Sequence, residues 1–176
     1  MLRVISGVGT PVDCPKLHVT MAILNVPDKD GSGAEVEKVK TAISGALCEF
    51  KDLIQKDTFY IGASGLEVFT APCGRQHVIT EVKLGRHALA LMRGTLFERL
   101  REWISDQRWR PHISVFKDSA LSREDQQKVV LSTHGVSFGI YGISAISLRK
   151  KKGLATPGEK KFKFSLSDED CRPREF

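Results

Sequence analysis

Leu17-His18-Val19-Thr20-Met21 and Pro111-His112-Ile113-Ser114-Val115 are two matching five-residue segments. Each has an apolar residue or proline, then histidine, an apolar residue, a hydroxyl residue and another apolar residue. In a β-strand successive side chains point to opposite faces, so the histidine and the hydroxyl of each segment share one face. The repetition predicts two strands that present a histidine and a hydroxyl to a shared cleft.

Outside these segments, hydrophobic periodicity and turn residues predict further strands and helices. Apolar residues at spacings of three and four predict helices over 34–55 and 88–106, and Ser122 with an acid three residues later predicts a capped helix ending near Leu131. Strands are predicted over 2–6, 17–26, 58–70, 77–84, 110–117, 136–148 and 161–166. Because single strands and helices do not alternate regularly, we expect an α+β fold with antiparallel or mixed sheets.

The predicted elements indicate one domain with two short flanking segments. Residues 1–16 contain Gly7, Gly9, Pro11 and Pro15, so this N-terminal segment is expected to be irregular. The domain is predicted over 17–166, and the polar tail 167–176 is expected to fray.

Composition is that of an ordinary soluble globular protein, with 41% hydrophobic and 27% charged residues in 176 positions. The sequence contains neither a membrane-spanning run nor a signal-peptide pattern, so we expect an intracellular protein, cytoplasmic or nuclear, without a membrane partner. The scattered cysteines form no CxxC pair and are predicted to be reduced thiols; they are Cys14, Cys48, Cys73 and Cys171.

The net charge of +6 is concentrated near the C-terminus. Residues 149–163 contain seven basic residues and one acid, which account for the whole excess. The predicted nucleic-acid patch consists of Arg149, Lys150, Lys151 and Lys152. A local basic patch favours a polyanionic partner. A solvated lysine-bearing loop and a nuclear-import signal remain alternatives.

The chain contains five histidines, of which the paired His18 and His112 are the catalytic candidates. His77, His87 and His134 lack a hydroxyl at the same spacing and are predicted to be surface or capping residues. A metal site needs three or four ligands, and no third ligand accompanies the pair, so no metal is expected. One neutral and one protonated imidazole suit acid–base chemistry on a phosphodiester, such as a cyclic phosphate.

The paired motifs resemble those of the 2H phosphoesterase superfamily, which includes RNA 2',3'-cyclic phosphodiesterases and 2'-5' RNA ligase-like proteins. The nucleotide-binding domain of certain A-kinase anchoring proteins is the most similar branch. The similarity extends to Gly65–Phe69 with the following His77–Ile79, and to the proline-led second motif over Arg110–Lys117.

This resemblance implies a bilobal fold with two small antiparallel sheets, outer helices and a central cleft. It implies that His18 and His112 are the acid–base pair and that Thr20 and Ser114 bind the phosphate, with Lys117 as a charge partner. No metal or cofactor is implied. Phe69 or Trp109 is a candidate for stacking on a base, although core packing is the stronger expectation for Phe69.

Family members carry a strand and a helix before the first motif, whereas only 17 residues precede His18 here. The chain is therefore expected to be a shortened form or to build one lobe from less, with the first histidine strand at a sheet edge. The predicted function is metal-independent hydrolysis of a 2',3'-cyclic or 2'-5'-linked nucleotide or RNA by a monomer. The alternatives are a non-catalytic module that binds AMP-like or CMP-like nucleotides or RNA in the same cleft, and an interaction protein that uses the basic patch.

Overall fold

A computed structural model describes residues 10–12, 17–27, 33–71, 74–104, 109–148, 162–169 and 171–175. The described residues form an α+β fold with three helices and two antiparallel sheets, one of five strands and one of three. The predicted α+β class is confirmed. Within the described ranges, no helix has the length and apolar character needed to cross a membrane.

The helices are α1 (Ala34–Ile54), α2 (Arg86–Leu100) and α3 (Arg123–Thr133). The strands are β1 (Thr10–Pro11), β2 (Phe59–Thr70), β3 (Gln76–Leu84), β4 (His112–Ser119), β5 (Ser137–Ile143), β6 (Ala145–Leu148), β7 (Phe162–Ser165) and β8 (Pro173–Glu175). Most predicted elements agree with these bounds to within a few residues. The predicted strand 136–148 is divided at Ser144 because its two parts, β5 and β6, belong to different sheets.

The chain divides into two compact units, the first comprising Met1–Met21, Tyr60–Arg86 and Arg108–Tyr141. Its sheet has the strand order β1-β4-β3-β2-β5. The hydrophobic core of this unit is built from the sheet, α3 and the turn before α3: Leu66, Val78, Leu121 and Val129 are buried, and Val68, Val115, Phe116 and Phe138 pack against them. Apolar residues of β2, β3 and β4 therefore bury this face of the sheet, and β3 also buries Ile79 on the opposite face.

Helix α3 is held at both ends. Ser122 Oγ accepts a hydrogen bond from the Asp125 backbone N–H at 3.1 Å, as the sequence predicted, and such a cap contributes about 1 kcal/mol. At the other end the buried backbone N–H of Leu66 in β2 donates to Thr133 Oγ1 at 2.9 Å. This bond ties the helix to the glycine-containing bend of β2, where Gly65 has a φ of 68°.

The second unit comprises Ala22–Phe59, His87–Gln107 and Gly142–Phe176. It contains α1, nearly all of α2 and the three-stranded sheet, in the order β6-β7-β8. Helix α1 buries one stripe, as its periodicity predicted, with Val39, Ile43, Ala46, Leu47 and Phe50 in the core. The Lys40 ammonium on the same stripe lies 3.6 Å from the centre of the Phe162 ring, which offsets part of the cost of its burial.

The predicted strand 17–26 is wrong as a continuous element. Its residues form two isolated antiparallel bridges, Val19 with Ile113 and Leu24 with Ile104. The outer edge of β4 is shared, since Thr10 and Pro11 of β1 pair with Lys117 and Phe116. Val19 therefore pairs with the remaining part of that edge, at Ile113. After Met21 the chain no longer pairs with β4, and Leu24 pairs with Ile104.

Two further predictions at element ends are wrong. The helix predicted to reach 106 ends at Leu100, because a turn follows in which the Trp103 N–H donates to the Leu100 carbonyl at 2.9 Å. The tail expected to fray contains β8, which pairs with β7, and a fully buried Cys171. The predicted strand 2–6 lies outside the described residues.

Candidate functional site

The two matching segments meet in the first unit. Val19 pairs with Ile113 in antiparallel orientation. Continuing this register by one residue each way sets His18 opposite Ser114 and Thr20 opposite His112. Opposite residues of antiparallel segments share a face, so both histidines and both hydroxyls belong to one face of the sheet. In this extended register each histidine is the cross-strand neighbour of the other segment's hydroxyl, whereas the pairing recorded between the two segments is the single bridge of Val19 with Ile113.

Burial of the intervening apolar residues explains this arrangement. Ile113 is only 6% exposed, and Val115 packs against the buried cluster beneath the sheet. His112 and Ser114 alternate with them and are half-buried, while His18 and Thr20 are exposed. The free energy gained by burying these apolar side chains therefore directs His112 and Ser114 to the opposite face, which also carries the buried Ile79 beside Ser114.

A bulge in β4 determines where Lys117 points. Ile79 of β3 is opposite Ser114, but Val78 is opposite Phe116, so Val115 is an extra residue. Val115 and Phe116 accordingly both pack against the buried cluster. Lys117 is five positions after His112, and in a regular strand an odd spacing would put the two side chains on opposite faces. The extra residue of the bulge shifts the alternation by one, so Lys117 lies on the face of the histidines. Lys117 is exposed on that face.

The His112 ring has two defined neighbours. Its Nδ1–H donates to the backbone carbonyl of Arg110 at 2.8 Å. A carbonyl oxygen only accepts, so Nδ1 carries the proton, and the lone pair of the neutral ring lies on Nε2. The ring also stacks on Phe69, with centroids 5.8 Å apart and planes inclined at 27°. The expected core packing of Phe69 is wrong, since this side chain is 41% exposed.

Two carboxylates of the same face hold the Arg110 side chain. Arg110 Nη2 donates to Glu67 Oε1 at 2.7 Å and lies 3.3 Å from Glu81 Oε2. Glu81 is the cross-strand partner of His112 in the pairing of β3 with β4. The hydrogen bonds to Glu81 and then to Glu67 raise the pKa of Arg110 above its ordinary value, so the guanidinium stays charged.

Trp109 links the two segments from the side. Its indole N–H donates to the backbone carbonyl of Thr20 at 2.9 Å. Trp109, three positions before His112, therefore helps to hold the first motif against β4. This contact assigns Trp109 a structural role in addition to any role in stacking on a base.

Of the remaining histidines, two lie elsewhere, whereas His77 shares the face of the motifs, because its cross-strand partner Phe69 stacks on His112. His87 and His134 are exposed, the first near the start of α2 and the second at the end of α3. The prediction for His77 is wrong: it lies within β3 opposite Phe69, and its Nδ1 is buried without a hydrogen-bond partner. His77 as a whole is half-buried, and its Nδ1 is the enclosed atom.

Glu67 and Glu81 were missed by the sequence analysis. Each is a single acid between apolar or β-branched neighbours in a strand, in Leu66-Glu67-Val68 and Thr80-Glu81-Val82. That alternation is the signal that could have placed both on the face opposite the core. The basic patch at Arg149, Lys150, Lys151 and Lys152 lies outside the described residues.

Metal-binding groups and cavities were the other candidate sites in the part of the chain that the structure describes. No group of three or more histidine, cysteine or acidic side chains there is placed to hold a metal ion. A shallow cavity of about 530 Å³ lies in the second unit, lined by Gly45, Cys48, Glu49, Asp52, Leu53 and Arg99. It contains none of the residues of the two motifs.

A scan against models of known protein families finds none that matches this chain, and a search of curated proteins finds no significantly similar sequence. The geometry of the site is therefore the basis for a proposed function.

Proposed function

We propose that this chain is a metal-independent phosphodiesterase that hydrolyses a 2',3'-cyclic phosphate or a 2'-5' linkage in a nucleotide or RNA. The observation that supports the proposal is the antiparallel pairing of Val19 with Ile113, which brings the two motif segments together at the edge of β4. Two imidazoles beside two hydroxyls supply a proton acceptor, a proton donor and hydrogen-bond donors for one phosphate.

In the proposed reaction one neutral histidine removes a proton from water as the water oxygen forms a bond to phosphorus. The bond between phosphorus and a ribose oxygen breaks, and the other, protonated histidine gives its proton to that oxygen. For His112 the nitrogen that exchanges the proton is Nε2, because Nδ1 is engaged by the Arg110 carbonyl. In the ligating direction a sugar hydroxyl replaces the water.

The hydroxyls of Thr20 and Ser114 are proposed to donate to the phosphate oxygens as negative charge develops on them. Lys117, exposed on the same face, attracts the substrate through its charge. The patch at Arg149, Lys150, Lys151 and Lys152 is proposed to extend this attraction along an RNA strand.

The finer fold assignment and the partner belong to the same proposal. The two compact units are taken as the two lobes of a 2H phosphoesterase-like fold, consistent with two antiparallel sheets. The expected partner is an RNA or oligonucleotide inside the cell, and the expected working form is a monomer.

The test is turnover of 2',3'-cyclic AMP and of a 2'-5'-linked adenylate dimer by the purified chain in EDTA, between pH 5 and 9. We expect a bell-shaped pH profile. His18→Ala and His112→Ala should each abolish turnover, whereas His87→Ala and His134→Ala, at exposed histidines outside the site, should retain it. Full activity in both site variants would disprove the mechanism.

Calorimetry with AMP and CMP distinguishes hydrolysis from simple binding. Turnover that depends on both histidines supports the enzyme. Binding that depends on the same residues without any product would instead identify a nucleotide-binding module. RNA binding that survives loss of both histidines but is lost on neutralising residues 149–152 would identify an interaction protein.

A further inference from the structure

Three side chains, which we call the Arg110 clamp, form the centre of a charged cluster where the chain enters β4; Arg86 Nη1 also lies 3.6 Å from Glu81 Oε1. The clamp consists of Arg110 with Glu67 of β2 and Glu81 of β3. The Arg110 guanidinium reaches Glu67 Oε1 at 2.7 Å through Nη2 and approaches both oxygens of Glu81, at 3.3 Å through Nη2 and 3.5 Å through Nε. One guanidinium is thus attached to two different strands of the sheet.

The backbone beside the clamp is restrained as well. Pro111 is buried, and its carbonyl accepts a hydrogen bond from the Val82 N–H at 3.2 Å. The proline ring fixes its own φ and confines Arg110 to extended conformations. The Arg110 side chain, the Pro111 carbonyl and the Arg110 carbonyl therefore hold this short segment at three points. The third of these points is the acceptor of the His112 Nδ1–H.

We propose that Arg110 is a positioning residue: the clamp holds the Arg110 carbonyl where it fixes His112 in the Nδ1–H tautomer and presents Nε2 to the phosphate. The catalytic consequence rests on the proposed function, but the tautomer itself does not. The guanidinium is already paired with two carboxylates, so its role is to orient the histidine and not to bind the phosphate. In the alternative tautomer Nδ1 would lose its hydrogen bond to the Arg110 carbonyl, and the ring would no longer be held with Nε2 toward the phosphate.

The tautomer is measured in the whole chain by long-range ¹H–¹⁵N spectra of ¹⁵N-labelled imidazoles at pH 8.5, where histidine side chains are normally neutral. The His112 signals are assigned by their absence in His112→Ala. We expect one Nδ1–H tautomer in the wild type. We expect a mixture in Arg110→Gln and in the double variant Glu67→Gln, Glu81→Gln, with partial recovery in Arg110→Lys.

The matched control is Arg99→Gln, which breaks the ion pair of Arg99 with Glu49 in the second unit. That pair has an N–O distance of 3.2 Å and is similarly exposed. Its loss should leave the His112 spectrum unchanged. Backbone ¹H–¹⁵N spectra establish that each variant is folded, and the isosteric double variant provides the measurement if Arg110→Gln does not fold.

Kinetics provide the second measurement. In the double variant kcat should fall about 10- to 100-fold with little change in KM, as for other residues that orient a functional histidine. An unchanged tautomer in both Arg110→Gln and the double variant would overturn the positioning role. A rise in KM alone for Arg110→Gln would also overturn it, and would indicate direct phosphate binding. A wild type without turnover would refute the enzyme while leaving the tautomer measurement decisive for the clamp.

Discussion

Val19 and Ile113 are antiparallel partners, although they are 94 positions apart in the sequence (113 minus 19). Their pairing brings the two motifs together, and extending its register sets His18 opposite Ser114 and Thr20 opposite His112, so the proposed site needs both motifs. This arrangement has a consequence for mutagenesis, because the hydroxyls of Thr20 and Ser114 are both predicted to bind the phosphate on which the two histidines act.

Thr20→Val and Ser114→Ala should each lower kcat/KM by about 10- to 100-fold, since a hydrogen bond to a charged group contributes about 1.5 to 3 kcal/mol. Steady-state hydrolysis of 2',3'-cyclic AMP measures the effect. Ser132→Ala is the control, because its hydroxyl bonds the Val129 carbonyl on α3 and should be dispensable for activity. Wild-type rates in both site variants would contradict the assignment of these hydroxyls.

Lys117 is predicted to act mainly through its charge. Lys117→Met should raise KM several-fold at 20 mM salt. The difference in KM from wild type should largely vanish at 0.5 M salt, because the electrostatic screening length is then about 4 Å. Lys83→Met, which removes an exposed lysine of β3, provides the comparison. An effect of Lys117→Met that is independent of salt would indicate a direct contact with the phosphate in place of attraction at a distance.

Gly85 and Gly135 have nearly the same backbone conformation, with φ of 74° and 76°, but different surroundings. A Cβ at Gly85 would lie 2.1 Å from the Tyr60 carbonyl oxygen, whereas a Cβ at Gly135 would meet nothing within 4 Å. Gly85→Ala should therefore lower the free energy of unfolding by about 2 to 5 kcal/mol, and Gly135→Ala by about 1 kcal/mol. Denaturant titration of both variants checks this. Equal losses in the free energy of unfolding would mean that the positive φ sets the cost of both substitutions and that the close contact at Gly85 adds nothing.

Burial raises the pKa of the Cys171 thiol from 9.0 to about 12, with a further contribution from the neighbouring Cys48 thiol. Between these values the native thiol keeps its proton while the unfolded chain loses it, so stability is present below pH 9 and falls as pH rises. Denaturant titrations at pH 7.5, 9 and 10 should show a smaller decline for Cys171→Ala than for wild type. The same slope in both proteins would refute this contribution.

Local patterns in the sequence determined much of this protein. The stripe of α1, the cap at Ser122 and the alternation in each histidine motif depend on residues a few positions apart. Those patterns are enough to predict an α+β fold and which side chains share a face within one segment. They also singled out His18 and His112 as the candidate acid–base pair, whereas the roles of Thr20, Ser114 and Lys117 were implied by the resemblance.

Only the tertiary structure decided how the segments combine. The register of Val19 against Ile113, the bulge that returns Lys117 to the histidine face, and the clamp that joins Arg110 to Glu67 and Glu81 all depend on contacts between distant parts of the chain. A strand's own sequence does not specify its neighbour, and a shift of one residue would reverse which side chains face the site. The burial of apolar residues across the whole sheet selects one register, and that selection assembles the site.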